Sequence, residues 1–425
     1  MTVLIIGGGW SGLAAAVTLS QQGQSVHLIE SAKQLGGRAR NVQWHDQTID
    51  NGQHLMIGAY DHMLAMMQIV GLNANEVFDR YPMDITIVDT DYPPLTLSAN
   101  SRLPWPLSLV TNLIRSAGIN GFYCVAKLQA NIPKLLSGKD ITVQQWLGAL
   151  NQSDRLIKQL WEPLCLATLN TPIVHASAHL LATVIQDSLG KGQKSADSLI
   201  PRLPLADVFP HAAADYIQQN GGSVSLKTRA RQLVIEHNKV TGIICQDGNM
   251  LMADNIIVAT SPSQSTALLA DLISINKADE YPICTVYLQY ASHCRLCKPM
   301  FGMTGTLSQW IFDRSEQTPG LMAIVISAPG EHEKMDNQQL VEHVCQEVHR
   351  LFPEFPESIE DSLVIREKRA TFACPVDIEH RRPSSQTTIN GLWLAGDYIA
   401  NGYPATLEGA IRNGESCALK LLNHL

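Results

Sequence analysis

The sequence has little charge and no excess of positive charge. Charged residues make up 16% of its 425 residues, and 39 acidic against 31 basic side chains give a net charge of −8 at pH 7. A typical soluble domain has about 25% charged residues. Without a basic excess to neutralise phosphates, nucleic acid is not expected as the main partner. The low charge leaves room for an apolar substrate surface or a membrane-facing patch, although uncharged polar side chains could fill the same surface.

Cysteine gives no sign of a disulfide framework or a metal centre. Nine cysteines are scattered along the chain in odd number, which fits a reducing cytoplasm. Cys294 and Cys297 have the C-x-x-C spacing, but no second pair follows them. Because a structural zinc site needs a second pair or histidines at ligand spacing, no metal site is predicted. We expect a cytoplasmic protein.

Long hydrophobic runs are also lacking, with one instructive exception. The stretch from Thr2 to Leu19 contains no charged residue, which is typical of a signal peptide or a membrane helix. However, no Lys or Arg precedes it, and three consecutive glycines, Gly7 to Gly9, interrupt it. No other segment has 18 uncharged apolar residues, so no transmembrane helix is predicted.

The chain is long enough for two domains, at about 100–200 residues each. Short apolar runs typical of buried parallel strands occur at Val3–Ile6, Ile256–Ala259 and Leu392–Ala395. We interpret them as parts of one nucleotide-binding sheet, with a second domain built from the stretches between them. The predicted boundaries are 1–65, 206–265 and 375–425 for the first domain, and 66–205 and 266–374 for the second.

A glycine fingerprint for a dinucleotide follows the first predicted strand. Gly7, Gly9 and Gly12 match G-x-G-x-x-G at the start of a predicted helix, and a second predicted strand ends in Glu30. The first glycine allows the tight turn, the second lets a pyrophosphate approach the backbone, and the third lets the helix pack on the sheet. The pyrophosphate then lies at the helix N-terminus, and the acid is placed to bind a ribose hydroxyl.

Three further segments resemble the amine oxidase and phytoene desaturase superfamily of flavoproteins. They are Leu35–Ala39, Leu394–Tyr398 and Tyr403–Ala410. The resemblance implies an FAD cofactor, with a second glycine turn and an arginine beside the phosphates, an aspartate at the ribityl chain, and a helix start at the flavin pyrimidine edge. Such a helix start would stabilise negative charge on a reduced flavin. The residues placed at FAD in this way are Gly36, Gly37, Arg38, Gly396, Asp397, Thr406 and Leu407, with Ala230 near the adenine.

The same resemblance implies the fold class. It is α/β, with a Rossmann-like FAD-binding domain of the amine oxidase/phytoene desaturase type and an inserted α+β substrate domain. Further segments are similar to one subgroup, the hydroxysqualene dehydroxylases of hopanoid biosynthesis. They are Asp50–His54, Trp161–Ala167 with Leu169–Pro172, and Arg366–Phe372. This similarity implies reductive removal of an allylic hydroxyl from a C30 isoprenoid, which yields squalene.

Such a reaction needs a proton donor near the hydroxyl and a dry path to flavin N5. His54 is the first candidate, because histidine is a natural donor near neutral pH; it could equally be a structural histidine. Asp50 could orient His54 or bind flavin, or only form a turn with Asn51 and Gly52. Tyr403 could donate a proton, although an aromatic wall is the more common role.

A membrane contact is a further hypothesis. Leu103–Val110 is apolar and contains Trp105, and Arg102 and Arg115 flank it. The region 103–115 could dip into a bilayer and admit the substrate. It could equally cover the core of the second domain.

Two other functions stay open from sequence alone. A carotenoid- or squalene-type desaturase would run the flavin in the oxidative direction. A non-enzymatic prenyl-lipid carrier would share the fold, but it would not need the glycine turn, Glu30, Gly36–Arg38 and Gly396–Asp397 together. Only one dinucleotide fingerprint is evident, so the electron donor is not identified.

Overall fold

The protein is represented by a computed structural model that describes residues 2–99, 103–270, 272–273 and 278–425. Its helices, in chain order, are α1 (Trp10–Gln21), α2 (Asp61–Ile69), α3 (Ala74–Val77), α4 (Trp105–Leu136), α5 (Val143–Ala149), α6 (Asp154–Leu156), α7 (Glu162–Leu169), α8 (Ala178–Gly190), α9 (Gln193–Ala196), α10 (Leu205–Val208), α11 (Pro210–Gln219), α12 (Pro262–Leu269), α13 (Asn337–Leu351), α14 (Ile378–Arg381) and α15 (Leu407–Leu422). A π-helical turn at Ile157–Trp161 joins α6 to α7, and a 3-10 turn covers Glu331–Lys334.

The strands, in chain order, are β1 (Thr2–Ile6), β2 (Ser25–Ile29), β3 (Asn41–Trp44), β4 (Gln47–Asp50), β5 (Met56–Ile57), β6 (Phe78–Tyr81), β7 (Asp84–Asp89), β8 (Leu95–Ser98), β9 (Ser198–Pro201), β10 (Ser223–Ser225), β11 (Ala230–Glu236), β12 (Lys239–Cys245), β13 (Met250–Met252), β14 (Asn255–Val258), β15 (Glu280–Gln289), β16 (Met300–Thr304), β17 (Trp310–Asp313), β18 (Leu321–Ser327), β19 (Asp361–Phe372) and β20 (Leu392–Leu394).

A five-stranded parallel sheet, in the order β10-β2-β1-β14-β20, is the frame of the nucleotide-binding part. Val3 and Ile5 face α1, α11 and α15, whereas Leu4 and Ile6 face the antiparallel sheet β11–β13. Both faces are therefore buried, as expected for continuous apolar strands. Because the strands are parallel, the loops after β1, β2, β14 and β20 meet at one edge of the sheet. The strands come from the three predicted segments, while the domain boundaries themselves stay a prediction.

A second, seven-stranded sheet has the order β19-β15-β18-β17-β16-β7-β8. Val286 on one face packs with Val344 of α13. Tyr287 on the other face lies in a cluster with Trp44 and Ile49 of the β3–β4 hairpin. The alternation along β15 thus gives one face to a helix and the other to the hairpin that ends in Asp50.

Helices α4 to α8 form a layer beside these sheets. Leu128 of α4 shares a buried cluster with Trp146 of α5 and Leu181 of α8. α4 changes direction at Gly118, whose φ of +75° is not helical. The predicted membrane-contact region 103–115 includes the start of α4 and the two residues before it, and Arg102 lies outside the described residues. Among the helices that the structure describes, none combines the length and apolar character needed to cross a membrane.

Candidate functional site

The glycines in the loop between β1 and α1 have two different roles. Gly7 has φ +117°, and a Cβ there would lie 2.5 Å from the carbonyl oxygen of Ala259. A Cβ on Gly12 would lie 2.1 Å from the carbonyl oxygen of Gly7. Both positions therefore need glycine for the protein's own packing. At Gly9, by contrast, the nearest atom to such a Cβ is the Cα of Gly37, 4.0 Å away, so the chain leaves space beside this backbone.

The N-terminus of α1 carries polar groups without protein partners. Its N-cap is Gly9, which has no side chain to cap the helix, and its first turn contains no acidic residue. The hydroxyl of Ser11 is buried and has no hydrogen-bond partner among the described residues. Free N–H groups, the positive end of the helix dipole and an unpaired hydroxyl fit a pyrophosphate group.

Glu30 is placed at the end of β2 and held by the neighbouring turns. Its carboxylate accepts hydrogen bonds from the amide of Gly8 at 2.7 Å and from the amide of Ala32 at 2.7 Å. The amide of Thr228 donates to the Glu30 carbonyl at 2.9 Å. Because Ala230 begins β11 only two residues later, the predicted adenine neighbour lies on the segment attached to Glu30.

The second glycine turn packs on the first. The amide of Gly36 donates to the carbonyl of Gly8 at 2.9 Å. Gly36 and Gly37 have φ of +101° and +63°, a backbone that other residues adopt only with strain. This turn leads directly to Arg38, so the two glycine segments position its side chain at the edge of the parallel sheet.

Arg38 joins the two ends of the chain. Its guanidinium lies 2.6 Å from the Asp397 carboxylate and donates to the Ala370 carbonyl at 2.8 Å. Burial alone would lower the pKa of Arg38, but the carboxylates of Asp397, Glu280 and Glu367 outweigh it and raise the pKa. Arg38 is 31% exposed, whereas Asp397 is 8% exposed. A permanent positive charge thus stays accessible beside the predicted pyrophosphate position.

The segment after β20 leads from Gly396 to the start of α15. The amide of Gly396 donates to the Asn413 side chain of α15 at 2.9 Å. Thr406 is the N-cap of α15 and accepts from the amide of Gly409 at 3.0 Å, and Leu407 is the first residue of the helix. The fully buried Glu408 turns away to cap α2, accepting from the amide of Met63 at 2.9 Å. The described geometry therefore offers a helix N-terminus near the segment Leu394–Tyr398.

His54 is held by a backbone group. Its Nδ1 lies 2.8 Å from the carbonyl oxygen of Gly52. A carbonyl can only accept, so Nδ1 carries the proton and Nε2 of the neutral ring is an acceptor. Burial lowers the pKa of His54, and the contact with Gly52 offsets this only in part. The neutral imidazole is therefore the main form at pH 7.

Asp50, at the end of β4, caps the start of α10. One of its carboxylate oxygens accepts from the amide of Leu205 at 2.8 Å. Burial raises the pKa of Asp50 to about 6, although the Leu205 amide and the charge of Arg314 act in the opposite direction. The Asp50 carbonyl accepts from the Tyr287 hydroxyl at 3.0 Å. The described contacts of Asp50 thus connect it to the β15 face, and none of them orients His54.

Tyr403 is 3% exposed, and its hydroxyl donates to the Asp187 carboxylate of α8 at 3.0 Å. The guanidinium of Arg412 lies 4.2 Å from the centre of its ring. Burial and the charge of Asp187 raise the pKa of Tyr403 well above its usual range. In the described geometry, Tyr403 is a hydrogen-bond donor to Asp187, and its role as a proton donor to substrate stays a prediction.

Sequence reasoning missed two charged groups in this region, the half-buried Asp187 and the buried Arg382. Asp187 anchors Tyr403 from a different part of the chain, and Arg382 is bonded to the loop that contains Asp397. Neither residue belongs to a glycine turn or to a segment with a marked pattern. Within the described residues, no group of three or more His, Cys, Asp or Glu side chains could hold a metal ion.

Comparisons with known proteins find similar chains over nearly the whole length of this one. A hydroxysqualene dehydroxylase of Zymomonas mobilis is 27% identical over 432 residues, which cover 99% of this chain and 99% of that protein. A 15-cis-phytoene desaturase of Glycine max is 21% identical, with 98% of this chain and 79% of that protein covered. The solved structure of an oxidoreductase from Methanosarcina mazei has a TM-score of 0.74 at 16% identity and covers 100% of both chains, which shows a shared fold.

The family comparison covers nearly the whole chain. Residues 10–422 match the family described as flavin containing amine oxidoreductase. The flavoprotein fold class, the FAD cofactor and the oxidoreductase activity predicted from the sequence are thereby confirmed, while the individual cofactor-binding residues stay a prediction. The chain belongs to the flavin-containing amine oxidoreductase family.

Proposed function

We propose that the chain is an FAD-dependent hydroxysqualene dehydroxylase of isoprenoid biosynthesis. The observation that carries this proposal is the 27% identity to such an enzyme over 99% of both chains. In the proposed reaction an allylic C–O bond breaks, a hydride adds to carbon, and a proton joins the leaving hydroxyl to form water. Bound FAD in its reduced form would supply the hydride from N5, and a separate two-electron donor would reduce the flavin again.

Different residues of the chain are assigned to different parts of FAD. We assign the pyrophosphate to Gly9 and the N-terminus of α1, with Arg38 beside it. Glu30 takes the adenosine ribose and Asp397 the ribityl chain. Ala230 lies near the adenine, and Thr406 with Leu407 lies at the flavin pyrimidine edge. These assignments are supported by the space beside Gly9, the unpaired Ser11 hydroxyl and the 2.6 Å approach of Arg38 to Asp397.

The departing hydroxyl needs a proton, and His54 remains the first predicted donor. Because burial lowers its pKa, only a small fraction of His54 is protonated at pH 7, but that fraction is a stronger acid than an ordinary imidazolium. Asp50 and Tyr403 remain secondary predictions. Tyr403 already donates to Asp187, which favours a wall or anchoring role for it.

The substrate is a long hydrocarbon, so we propose that the protein takes it from a membrane surface. Exposed apolar side chains line the start of α4 and the turn after its bend, at Leu103, Leu107, Ile119 and Tyr123. From 92 to 139 the sequence has no acidic residue, although the whole chain carries a net charge of −8. The basic residues in this stretch are Arg102, Arg115, Lys127, Lys134 and Lys139. Apolar side chains with a local positive charge suit a peripheral contact with anionic lipid.

Liposome sedimentation tests the membrane contact. Leu107→Asp should weaken binding to phosphatidylglycerol-containing vesicles about ten-fold or more, since a buried leucine contributes roughly 1.5–3 kcal/mol. Leu419→Asp is the matched control, because this leucine is also exposed but lies on α15. Equal binding by the two variants would contradict the contact.

A desaturase is the second candidate, favoured by the similarity to the phytoene desaturase over 98% of this chain. Product analysis separates the two functions. Anaerobic enzyme reduced with dithionite and mixed with hydroxysqualene should return to the oxidised yellow spectrum, with squalene formed in equal amount. A flavin that stays reduced with hydroxysqualene, together with an oxidised flavin that is bleached by a polyene, would favour the desaturase.

A lipid carrier without flavin chemistry is not favoured. It would leave the open space beside Gly9 and the Arg38–Asp397 pair without a purpose. A colourless protein that could not be reconstituted with FAD would revive this alternative.

A further inference from the structure

Arg382 is the most heavily bonded buried charge near the flavin motifs. Its side chain is 2% exposed. The guanidinium donates to a set of acceptors that all belong to the segment Gly396–Tyr403, which we call the flavin loop. These acceptors are the carbonyls of Asp397 at 2.6 Å, Tyr398 at 3.4 Å, Ile399 at 2.5 Å and Tyr403 at 2.7 Å, and the side-chain oxygen of Asn401 at 2.9 Å.

The flavin loop has no helix or strand to fix its shape. Residues 395–406 form only turns and bends. Buried carbonyl groups need hydrogen-bond donors, and in this loop Arg382 supplies them from one planar group. Its five N–H groups in a rigid fork suit several acceptors at once.

Glu379, on the short helix α14, contacts both Arg382 and the flavin loop. It forms an ion pair with Arg382 at 2.8 Å, and its other oxygen accepts from the amide of Gly402 at 2.8 Å. Arg382 also stacks on Phe372, with 4.7 Å between the guanidinium carbon and the ring centre. Glu379 and Arg382, which we call the clamp pair, therefore hold both the carbonyl side and one amide of the loop.

The loop in turn sets the position of Asp397. Its carboxylate is bonded to Arg38, while its carbonyl is bonded to Arg382. The neighbouring Tyr398 hydroxyl donates to Ser265 at 2.8 Å. Asp397 is thus held between an arginine from each half of the sequence, and a shift of the loop would move its carboxylate away from the ribityl position.

We propose that Arg382 is a positioning residue for the flavin. It fixes the flavin loop so that Asp397 faces the cofactor, and it therefore controls the affinity for FAD and the balance between oxidised and reduced flavin. This rests on the proposed placement of the ribityl chain at Asp397. It does not depend on the identity of the substrate.

Arg382→Lys is the informative variant, because lysine keeps the charge and the stem but loses the planar fork. FAD is titrated into the apoprotein, and the midpoint potential of the holoprotein is measured by dye equilibration. We expect the Kd for FAD to rise about ten-fold, which is about 1.4 kcal/mol. If the variant loses ten-fold more affinity for one redox state of the flavin than for the other, the two-electron midpoint potential shifts by about 30 mV.

Arg381→Lys is the matched control, since Arg381 is the exposed neighbour on α14 and its described hydrogen bond is to the Val376 carbonyl. It should leave both the Kd and the potential at their original values. An Arg382→Lys protein with unchanged Kd and potential would overturn the proposal, even if its apoprotein melted at a lower temperature, because the residue would then be only structural.

Two further variants cover the case in which Arg382→Lys fails to fold. Glu379→Gln keeps an acceptor for the Gly402 amide but removes the charge beside Arg382. We expect a smaller rise in the Kd for FAD and a smaller shift of the midpoint potential than in Arg382→Lys. Arg382→Ala leaves a gap beside a cavity of about 300 Å³ that Arg382 lines, into which ethylguanidinium should diffuse. Recovery of FAD affinity with ethylguanidinium, but not with ethylammonium, supports the proposal; wild-type affinity in Glu379→Gln together with no recovery overturns it.

The wild-type protein separates this inference from the proposed reaction. If wild-type enzyme binds FAD but does not convert hydroxysqualene, the reaction is wrong and the role of Arg382 is still measurable. If the wild type converts hydroxysqualene and Arg382→Lys keeps the Kd and potential, only the positioning role is wrong.

Discussion

The flavin side and the candidate catalytic side of this molecule handle buried charge in different ways. On the flavin side, Arg38 meets Asp397 and Arg382 meets Glu379, so that each charge faces an opposite one. On the catalytic side, the hydrogen-bond partners of Asp50 and His54 are the backbone groups of Leu205 and Gly52. Opposite charges keep a group ionised, whereas burial against neutral groups favours its uncharged form.

The opposite-charge pairs suit cofactor binding, and the buried groups with neutral partners suit proton transfer. A cofactor that stays bound is served by fixed charges and by glycine turns that admit no alternative shape. A proton transfer needs a group whose pKa lies near the working pH, and such groups concentrate at functional sites. Burial raises the pKa of Asp50 to about 6, toward this range, and lowers that of His54, which makes its protonated form a stronger acid.

Glycine substitutions test the flavin side and should have the largest effect. Gly12→Ala places a Cβ 2.1 Å from the Gly7 carbonyl, and we expect it to destabilise even the apoprotein by about 3 kcal/mol. Gly9→Ala meets no protein atom closer than 4.0 Å. It should leave the apoprotein stable and weaken FAD binding about ten-fold, or ~1.4 kcal/mol. Urea unfolding and FAD titration of both variants separate the two; equal apoprotein stability would contradict the assigned difference.

Removing His54 tests the catalytic side. His54→Gln should lower kcat about 100-fold, at the low end of general acid catalysis, without changing FAD affinity. Because burial lowers the pKa of His54, the rate of the wild type should fall as the pH rises through a value below 6.5. A full pH–rate profile measures this. His45→Gln, an exposed change in the same part of the chain, is the control, and a pH-independent wild-type rate between pH 5 and 8 would remove His54 as the donor.

Breaking an opposite-charge pair should have an intermediate effect. Asp397→Asn leaves Arg38 without its carboxylate partner, so FAD affinity should fall about ten-fold, equivalent to about 1.4 kcal/mol. Asp254→Asn is the comparison variant, because Asp254 forms an exposed ion pair with Lys239. Binding of FAD by both variants as tight as in the wild type would contradict a role for the Arg38–Asp397 pair in holding the cofactor.

Neutralising Asp50 should have an effect of the opposite sign, on the stability of the fold. Asn can still accept from the Leu205 amide, but it removes a charge that burial disfavours. The folded protein holds the Asp50 proton up to about pH 6, whereas the unfolded chain releases it near 3.8. The charged group therefore lowers stability progressively from about pH 4 to 6, and the loss persists above pH 6.

We expect Asp50→Asn to raise the free energy of unfolding by about 1–3 kcal/mol at pH 7.5, and the gain should vanish near pH 4. Urea unfolding at several pH values gives this difference. Asp46→Asn, at the exposed turn of the same hairpin, should change nothing. A destabilised Asp50→Asn protein would contradict this, because the charge of Arg314 would then stabilise the ionised Asp50 by more than burial disfavours it.

The same contrast explains what the sequence could predict. The roles of Gly7 and Gly12 follow from local geometry, because a turn and a helix packed on a strand need no distant information. The assignment of Arg38 and Asp397 to FAD came from resemblance to known flavoproteins. Their contact with each other was not predicted, since 359 residues separate the two and no local pattern connects them. The parallel sheet was predictable for the same reason as the glycines: its strands are short, apolar and followed by turns.

Groups defined by tertiary burial could not be predicted. Asp187 meets Tyr403 across 216 residues, and Arg382 has an exposed arginine as its neighbour in sequence. Only the fold decides which of two adjacent arginines is buried. The shifted pKa values of Asp50 and His54 also depend on burial, so the sequence could nominate these residues but not their protonation states.

A single turnover in deuterium oxide shows directly whether the hydride passes from the flavin to the isoprenoid. The anaerobic enzyme, reduced with dithionite, is mixed with one equivalent of hydroxysqualene, and the squalene is analysed by mass spectrometry. Since the hydrogen on N5 of a reduced flavin exchanges with solvent, the account predicts squalene with one deuterium at the former C–O carbon and an equal amount of oxidised flavin. Squalene without deuterium, or a flavin that remains reduced, would contradict reductive dehydroxylation by this protein.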